Sequence, residues 1–461
     1  MSPLTQLIPV IADRKAPGYR LRIALAYIGV FFVSAGDTVR YSIGWTAWGV
    51  ACVALAGVCL VLFLRSKPSN TLRRMPFTLS ALLGFMVLST AWSYYPAFTL
   101  LGFLGTLVAT IFGLFLVATF SWRDLLGVFS NVFKFILGAS ILFELFAALV
   151  VHGPIAPIFK NYQGVVPPSG AYYWTQGTLL KGLRIQGIVG NANLLAYIAM
   201  LGFLIFAVQY AIKSPQRWIS VTSMVASAFC LALTRSAGIG FAMVMVAVGA
   251  LVALVAEGHD RETRHRYYRV AWTGFGIVAF FILVYREQLF TLIGKSPDMT
   301  GRTEIWKAVL GLIGQRWFQG WGWISYWIPG VKPYEGLIVR DNVTYYQAHN
   351  SYLDVWLQLG IIGFIIFVAL LTITFVKLWR LAVRHTSPLY LWPLLVFIAI
   401  LVQNLTESRM IVELGWLLVV ILSVKVNEPA ESLEPRGSSP KRLRMRLLGK
   451  AISAMEPTKD K

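Results

Sequence analysis

Long apolar runs recur from one end of this chain to the other, divided by short polar turns. A run of about 20 apolar residues is long enough to cross ~30 Å of hydrocarbon as a helix. Only helices and closed barrels satisfy their backbone polar groups there, and the runs are too long for barrel strands. Spans are predicted near 20–39, 43–64, 76–93, 97–119, 125–151, 187–211, 217–234, 237–256, 270–289, 350–376, 389–405 and 410–426. The expected fold is all-α, a polytopic transmembrane helical bundle of about 12 spans. Hydrophobic residues make up 57% of the chain and charged residues 13%, against about 25% charged in soluble domains. A single water-soluble domain, a disordered chain, a collagen and a disulfide scaffold are excluded.

The net charge of +21 invites a nucleic-acid reading, but the placement of the charges argues against it. One set of short loops holds Arg65, Lys67, Arg73, Arg74, Arg123, Lys213, Arg217, Arg261, Arg264, Arg266, Arg269, Lys377, Arg380 and Arg384. The alternate set holds only Arg40, Arg235 and Arg409. Such a bias marks the cytoplasmic side, and both termini fall on it. The expected order is a cytoplasmic segment 1–19, five spans in 20–151, an external loop 152–186 and four spans in 187–289. A large external loop 290–349 that carries the catalysis follows, then three spans in 350–426 and a basic cytoplasmic tail 427–461. The two external loops are expected to contain short amphipathic helices. Ile305, Trp306, Val309, Leu310, Leu312 and Ile313 mark one, lying on the membrane or capping the bundle. Trp317, Trp321, Trp323 and Trp327 read as an interfacial belt, with sugar stacking as the alternative. No cleavable signal pattern closes the first span.

Several chemistries lack their residues. Cys52, Cys59 and Cys230 all lie inside apolar runs, so neither a disulfide nor a zinc site is indicated. Gly294-Lys295-Ser296 ends like a phosphate-binding loop, but Leu289 stands where its first glycine belongs. No Asp-x-Asp pair occurs, and no cytoplasmic loop is large enough for a nucleotide-binding domain. The expectation is no cofactor and no metal.

The residues that stand out are cationic and fall on the sparsely charged side. Arg184 precedes a span, Arg235 sits in the Thr234-Arg235-Ser236 turn, Arg302 follows Gly301, and Arg409 lies in Glu407-Ser408-Arg409. An outward arginine at a membrane boundary needs a reason. It can pair with Glu304 or Glu407, snorkel to a lipid phosphate or grip an anionic substrate, since guanidinium matches phosphate bidentately. His349 stands where the second long loop re-enters the membrane, before Asn350. An imidazole there suits a general base. Lys134 and Glu144 fall inside the fifth span and receive no catalytic role.

In these stretches the chain resembles the O-antigen ligase family, within the superfamily that includes O-antigen polymerases. The matching stretches are Arg184-x-x-Gly187 leading to Gly190-Asn191-Ala192-Asn193-Leu194, the Thr234-Arg235-Ser236 turn, Gly301-Arg302 through Trp306 to Gly320-Trp321-Gly322, and Ala348-His349-Asn350-Ser351-Tyr352-Leu353 with Gly360 and Gly363. They come in order over most of the chain from about 180 onward; the first five spans match in hydropathy alone. Gln358 stands where many members carry Glu, so no catalytic role is assigned there.

The resemblance implies a glycosyltransferase on the external, periplasmic face of the cytoplasmic membrane. It would move a glycan from a polyprenyl diphosphate carrier to an acceptor hydroxyl of a glycan, lipid or protein, without metal and with inversion. His349 would activate the acceptor. Arg184 and Arg302 would hold the diphosphate with Arg235 or Arg409, and Glu407 and Asn350 would support them. A polymerase would share this chemistry and differ in acceptor. A transporter or flippase of lipid-linked glycan would suit the span count but leave the large external loops unexplained. The expected partners are the lipid-linked donor, the acceptor and the bilayer, with no nucleic acid. Glu335→Cys in a cysteine-free background is expected to react with an impermeant maleimide in intact cells. Labelling only after the cells are permeabilised would put residues 290–349 on the wrong side.

Overall fold

The computed structural model describes residues 18–66, 69–159, 173–214, 216–257, 259–284, 301–340, 343–385 and 387–428. Gly294-Lys295-Ser296 and the basic tail at 441–446 lie outside them. Among the described residues the fold is helical apart from a hairpin of two-residue strands, β1 (Val339–Arg340) and β2 (Val343–Thr344). In chain order the helices are α1 (Tyr19–Ser34), α2 (Gly36–Ile43), α3 (Trp45–Arg65), α4 (Ser69–Arg74), α5 (Phe77–Leu88), α6 (Pro96–Thr119) and α7 (Trp122–Phe146). After a long connection come α8 (Ala192–Ala211), α9 (Arg217–Thr234), α10 (Ala237–Ala256), α11 (Arg261–Val284) and α12 (Arg302–Gln315). The last are α13 (Ser351–Arg384), α14 (Leu391–Gln403) and α15 (Glu413–Lys425).

The apolar runs predicted as spans fall on these helices, except that residues 285–289 of the run 270–289 lie outside the described residues; among the described residues seven helices are long and apolar enough to cross a membrane. The count rises to eight if α1 and α2, bent by 85°, form one broken span. The count of about twelve is therefore not confirmed. At 13 residues each, α14 and α15 extend only about 20 Å at 1.5 Å per residue. They are nevertheless among the most buried helices, with Trp392, Leu394, Phe397, Trp416, Leu417 and Val419 at the centre of the main core. Helix α6 packs on α15, where the Trp416 indole donates to Thr110 Oγ1 at 2.8 Å. Helix α8 packs on α7 and α9, and α10 on α14.

Local sequence explains where the key helices begin. Ser121 and Asp124 form a reciprocal capping box at α7. Asn191 caps α8 by accepting from the backbone N–H groups of Asn193 and Leu194, and Asn350 caps α13 by accepting from those of Tyr352 and Leu353. Asn is among the strongest N-cap residues because its oxygen satisfies otherwise orphaned donors. Both caps belong to family-like stretches, and both fix a helix start beside the site.

A second, smaller core lies over residues 301–348. Ile305, Val309, Leu312 and Ile313 of α12 meet Trp321, Ile324, Trp327, Val331 and Tyr334 there. The expected amphipathic helix is present and caps this core. The first long connection shows one 3₁₀ turn, Leu179–Lys181, and no α-helix among its described residues. The tryptophan-belt reading fails for three of its four residues. Trp317 is exposed, but Trp321, Trp323 and Trp327 are buried and donate to Leu312 O, Thr106 Oγ1 and Asp354 Oδ1. Each buried indole N–H has found a partner, which makes these rings core rather than belt.

Helix α13 is two helices in one. Gly360 breaks it with φ 63° and ψ −169°, a conformation open only to glycine. Residues 351–359 lie between the two cores: Leu353, Trp356 and Leu357 pack in the smaller one, Val355 and Leu359 in the main one. The break is sealed by backbone: a Cβ at Gly360 would collide with Phe318 O, and one at Gly320 with Gln358 O. Gln358 is used structurally, its Oε1 accepting from Ile324 N and Ser325 N, both at 2.9 Å, while its Nε2 donates to Ser325 O. Gly360→Ala is expected to destabilise the protein by about 2–4 kcal/mol, combining a forbidden φ with overpacking. The check is its melting temperature in detergent against that of Gly311→Ala, a helical glycine in α12 whose added Cβ would meet nothing within 4 Å.

Candidate functional site

Glu407 lies in the turn between α14 and α15 and is 5% exposed. Three donors from three distant stretches converge on it. Oε1 accepts from Arg302 Nη2 at 2.8 Å and from Asn193 Nδ2 at 2.9 Å. Oε2 lies 3.1 Å from His349 Nδ1. Asn193 continues outward: its Oδ1 accepts from Arg184 Nη2 at 2.6 Å and from Ser236 Oγ at 3.3 Å. Arg184 Nε donates to Thr234 O at 2.8 Å. The four stretches singled out in the sequence thus meet in one hydrogen-bonded network.

Buried carboxylates survive only when paired and hydrogen-bonded. Burial alone raises the Glu407 pKa; the charges of His349, Arg302 and Arg409 and the His349 hydrogen bond outweigh it and pull the carboxyl down to about 2. Burial lowers the Arg184 pKa from its ordinary value; Glu407 opposes this and Arg302 adds to it.

The imidazole is held by its backbone as well as by Glu407. His349 has φ 48°, in the left-handed region that non-glycine residues rarely adopt. The flanking residues lock it. Ala348 N–H donates to Asp354 Oδ2 at 3.0 Å, Asn350 N–H donates to Ser408 Oγ at 3.0 Å, and Ser351 N–H reaches Asn404 O and Glu407 O. Ser408 in turn bonds Asp354. The Tyr345 ring packs edge-on against the imidazole at 5.5 Å between centroids. An outlier held from both sides is a mark of functional sites. With Nδ1 donating to Glu407, Nε2 is the basic nitrogen, and no hydrogen bond reaches it among the described residues.

The remaining candidates differ in setting. Arg235, at φ 47°, is exposed and stands beside Gly182 of the Arg184 loop. Arg409 is half-buried, 3.8 Å from Glu413 and beside the Tyr326 ring. Asn350 acts through its cap and through Nδ2, which donates to Leu405 O at 3.1 Å, so it positions His349 rather than reaching outward. Glu304 is exposed and Glu407 takes Arg302 instead. Glu144, deep in α7, accepts from Thr175 Oγ1, Gln186 N and Gly187 N, fixing the loop that carries Arg184. Lys134 lies 5.6 Å from the centre of the Phe206 ring. Among the described residues no three His, Cys, Asp or Glu side chains gather as a metal site.

Sequence reasoning missed the bridging role of Asn193. The Asn191-Ala192-Asn193 repeat carried the signal, because a helix start needs only one cap and the second amide was left over. It also missed Asp37, Arg40 and Glu413, which form an ion cluster through Arg40: Nη1 lies 2.6 Å from Glu413 Oε1 and Nη2 2.7 Å from Asp37 Oδ1.

Residues 187–368 match the family model described as O-antigen ligase. The chain carries an O-antigen ligase domain. The matched stretch holds Asn193, Arg235, Arg302, His349 and Asn350, while Arg184, Glu407 and Arg409 lie outside it and complete the network from the flanking chain. No curated protein matches the chain. An O-antigen ligase domain among apolar helices makes this an integral membrane protein with a glycosyltransferase-like role in polysaccharide assembly, of the ligase or polymerase type.

The depressed Glu407 pKa has a defined sign. Its stabilising contribution is complete above the ordinary value of 4.5 and is lost as pH falls toward about 2. Glu407→Gln is therefore expected to lower the melting temperature at neutral pH, because Arg302 loses its counter-charge and the His349 Nδ1–H its carboxylate acceptor. It should also flatten the dependence of melting temperature on pH below 4.5, measured by differential scanning fluorimetry beside the wild type.

Proposed function

We propose that the O-antigen ligase domain transfers a glycan from a polyprenyl diphosphate carrier to an acceptor hydroxyl, on the external face of the cytoplasmic membrane. The observation that carries this reading is the shared carboxylate of Glu407. It ties the His349 Nδ1–H and Arg302 together and leaves Nε2 and further guanidinium N–H groups unengaged beside it.

The reading supplies each step with a residue. His349 Nε2 takes the proton of the acceptor hydroxyl as its oxygen attacks the anomeric carbon. The bond from that carbon to the diphosphate oxygen breaks, and the diphosphate leaves on the lipid with the bonding electrons. Single displacement inverts the anomeric centre. Glu407 orients the imidazole through Nδ1 and stabilises the imidazolium, as an acid does in the Ser-His-Asp arrangement. Arg302 and Arg184, with Arg235 and Arg409 in support, stabilise the charge that develops on the diphosphate. The donor is already activated, so the reaction needs neither nucleotide nor metal. Sidedness follows from the loop charges: the site lies at the helix ends that hold Asn193, Thr234 and Ser351. Arg74, Lys377 and Glu428 meet at the opposite ends, where Asn427 bonds both Lys377 and the Arg74 carbonyl.

The test is transfer by purified protein from lipid-linked glycan to candidate acceptors, with the product identified by mass spectrometry. His349→Ala is expected to abolish transfer while the protein still inserts and melts near the wild type. Arg302→Lys, which keeps the charge and loses the planar fork, is expected to cut the rate by about 10-fold or more. Wild-type rates in either variant would remove that residue from the mechanism.

A further inference from the structure

A second buried carboxylate lies behind His349. Asp354 stands in the first turn of α13 and is 1% exposed. Its Oδ1 accepts from Trp327 Nε1 at 2.9 Å, and its Oδ2 accepts from Ala348 N–H at 3.0 Å and from the Ser408 hydroxyl. Among the described residues no lysine or arginine pairs with it, so neutral donors carry its charge. Their polarity leaves one assignment. An indole N–H and a backbone N–H can only donate. Ser408 Oγ accepts from Asn350 N–H at 3.0 Å and sends its own hydrogen to Asp354. Both Asp354 oxygens must therefore accept. An ionised carboxylate does this, whereas a carboxamide of the same shape would turn an NH2 toward either Trp327 or Ala348, donor against donor.

These bonds end on the main chain around His349. The peptide before it is pinned at its carbonyl, since Ala348 O accepts from Trp306 Nε1 at 3.1 Å. The peptide after it is pinned at its N–H by Ser408. The first restrains the left-handed φ of 48° and the second restrains ψ. Asp354 holds the Ala348 N–H directly and the Asn350 N–H through Ser408, so one carboxylate braces both flanks. Trp327 is backed in turn by the Tyr334 ring, stacked at 5.1 Å with 12° between the planes. A non-glycine residue at positive φ persists only while its surroundings over-determine it. Released, its Cα–Cβ bond swings and carries the imidazole with it.

We propose that Asp354 is a positioning residue for the transfer. With Trp306 and Ser408 it fixes the main chain so that the His349 Nδ1–H meets Glu407 and Nε2 is left as the base. The inference rests on the proposed transfer, because it takes His349 as the proton acceptor. It gives the site two carboxylates with separate tasks: Glu407 orients the ring, and Asp354 orients the backbone that carries the ring.

The experiment uses the full-length protein in nanodiscs and reads two quantities. One is kcat and KM for transfer from lipid-linked glycan. The other is the His349 imidazole tautomer, by magic-angle-spinning nitrogen NMR of protein labelled at histidine, at mildly alkaline pH. The His349 signal is the one missing from His349→Ala, and in the wild type it is expected as the Nδ1–H form alone. Asp354→Asn is expected to mix the two tautomers and to lower kcat by about 10- to 100-fold. Its KM for the donor should stay within about 2-fold of the wild type, because Arg184 and Arg302 do not bond Asp354. Trp306→Phe and Ser408→Ala each remove one bond of the brace and should lower kcat by about 3- to 10-fold. Ser408→Thr keeps the hydroxyl and should restore part of that loss. A merely structural Asp354 would lower the melting temperature and leave both kcat per folded molecule and the Nδ1–H form unchanged. Wild-type kcat and a single Nδ1–H form in folded Asp354→Asn would overturn the brace and leave the proposed transfer standing. Should Asp354→Asn not fold, the same result in Trp306→Phe and Ser408→Ala overturns it. A wild type that holds the Nδ1–H form yet transfers no glycan would overturn the transfer reading, and with it the role given to Asp354.

Discussion

One buried carboxylate organises this protein's site. Glu407 draws together an amide from the start of α8, a guanidinium from the start of α12 and an imidazole from the start of α13. None of the three is near it in sequence. Without it, Arg302 would lose its counter-charge, and the His349 Nδ1–H and the Asn193 amide would lose an acceptor. The bundle supplies what such a cluster needs: helix ends that stop at a common level, capped so that their first N–H groups are satisfied.

The same economy of parts recurs at the backbone. His349 occupies a left-handed conformation because the residues on either side are bonded to Asp354, Ser408, Asn404 and the Glu407 carbonyl. The 404–413 turn therefore contributes twice, once through the Glu407 side chain and once through the main chain that fixes the residue facing it. Two charged layers also share that turn. Glu407 serves the imidazole, and Glu413 serves Arg409 and Arg40.

Much of the architecture was legible in the sequence because hydropathy is a local signal. The apolar runs, the Asn caps and the apolar face of α12 could each be read within a window of a few turns. The arginines and His349 stood out because charge is costly at a membrane boundary. What stayed hidden depends on distant pairing. Arg40 and Glu413 are 373 residues apart, and nothing local marks either as a partner. The shortness of α14 and α15 was hidden for a different reason: a core helix and a spanning helix show the same apolar run. Trp321, Trp323 and Trp327 were misplaced because an indole suits a belt and a hydrogen-bonded core equally well, and only the acceptor opposite its N–H decides.

The break at Gly360 redraws the molecule's natural joint. Leu353, Trp356 and Leu357 are continuous in chain with a long apolar helix, yet they pack with the 301–348 layer, while Val355 and Leu359 join the main core and Gly320 meets Gly360 backbone to backbone. The unit that could be exchanged between homologous enzymes to transplant selectivity thus ends at the glycine hinge, one helix segment later than hydropathy would cut it.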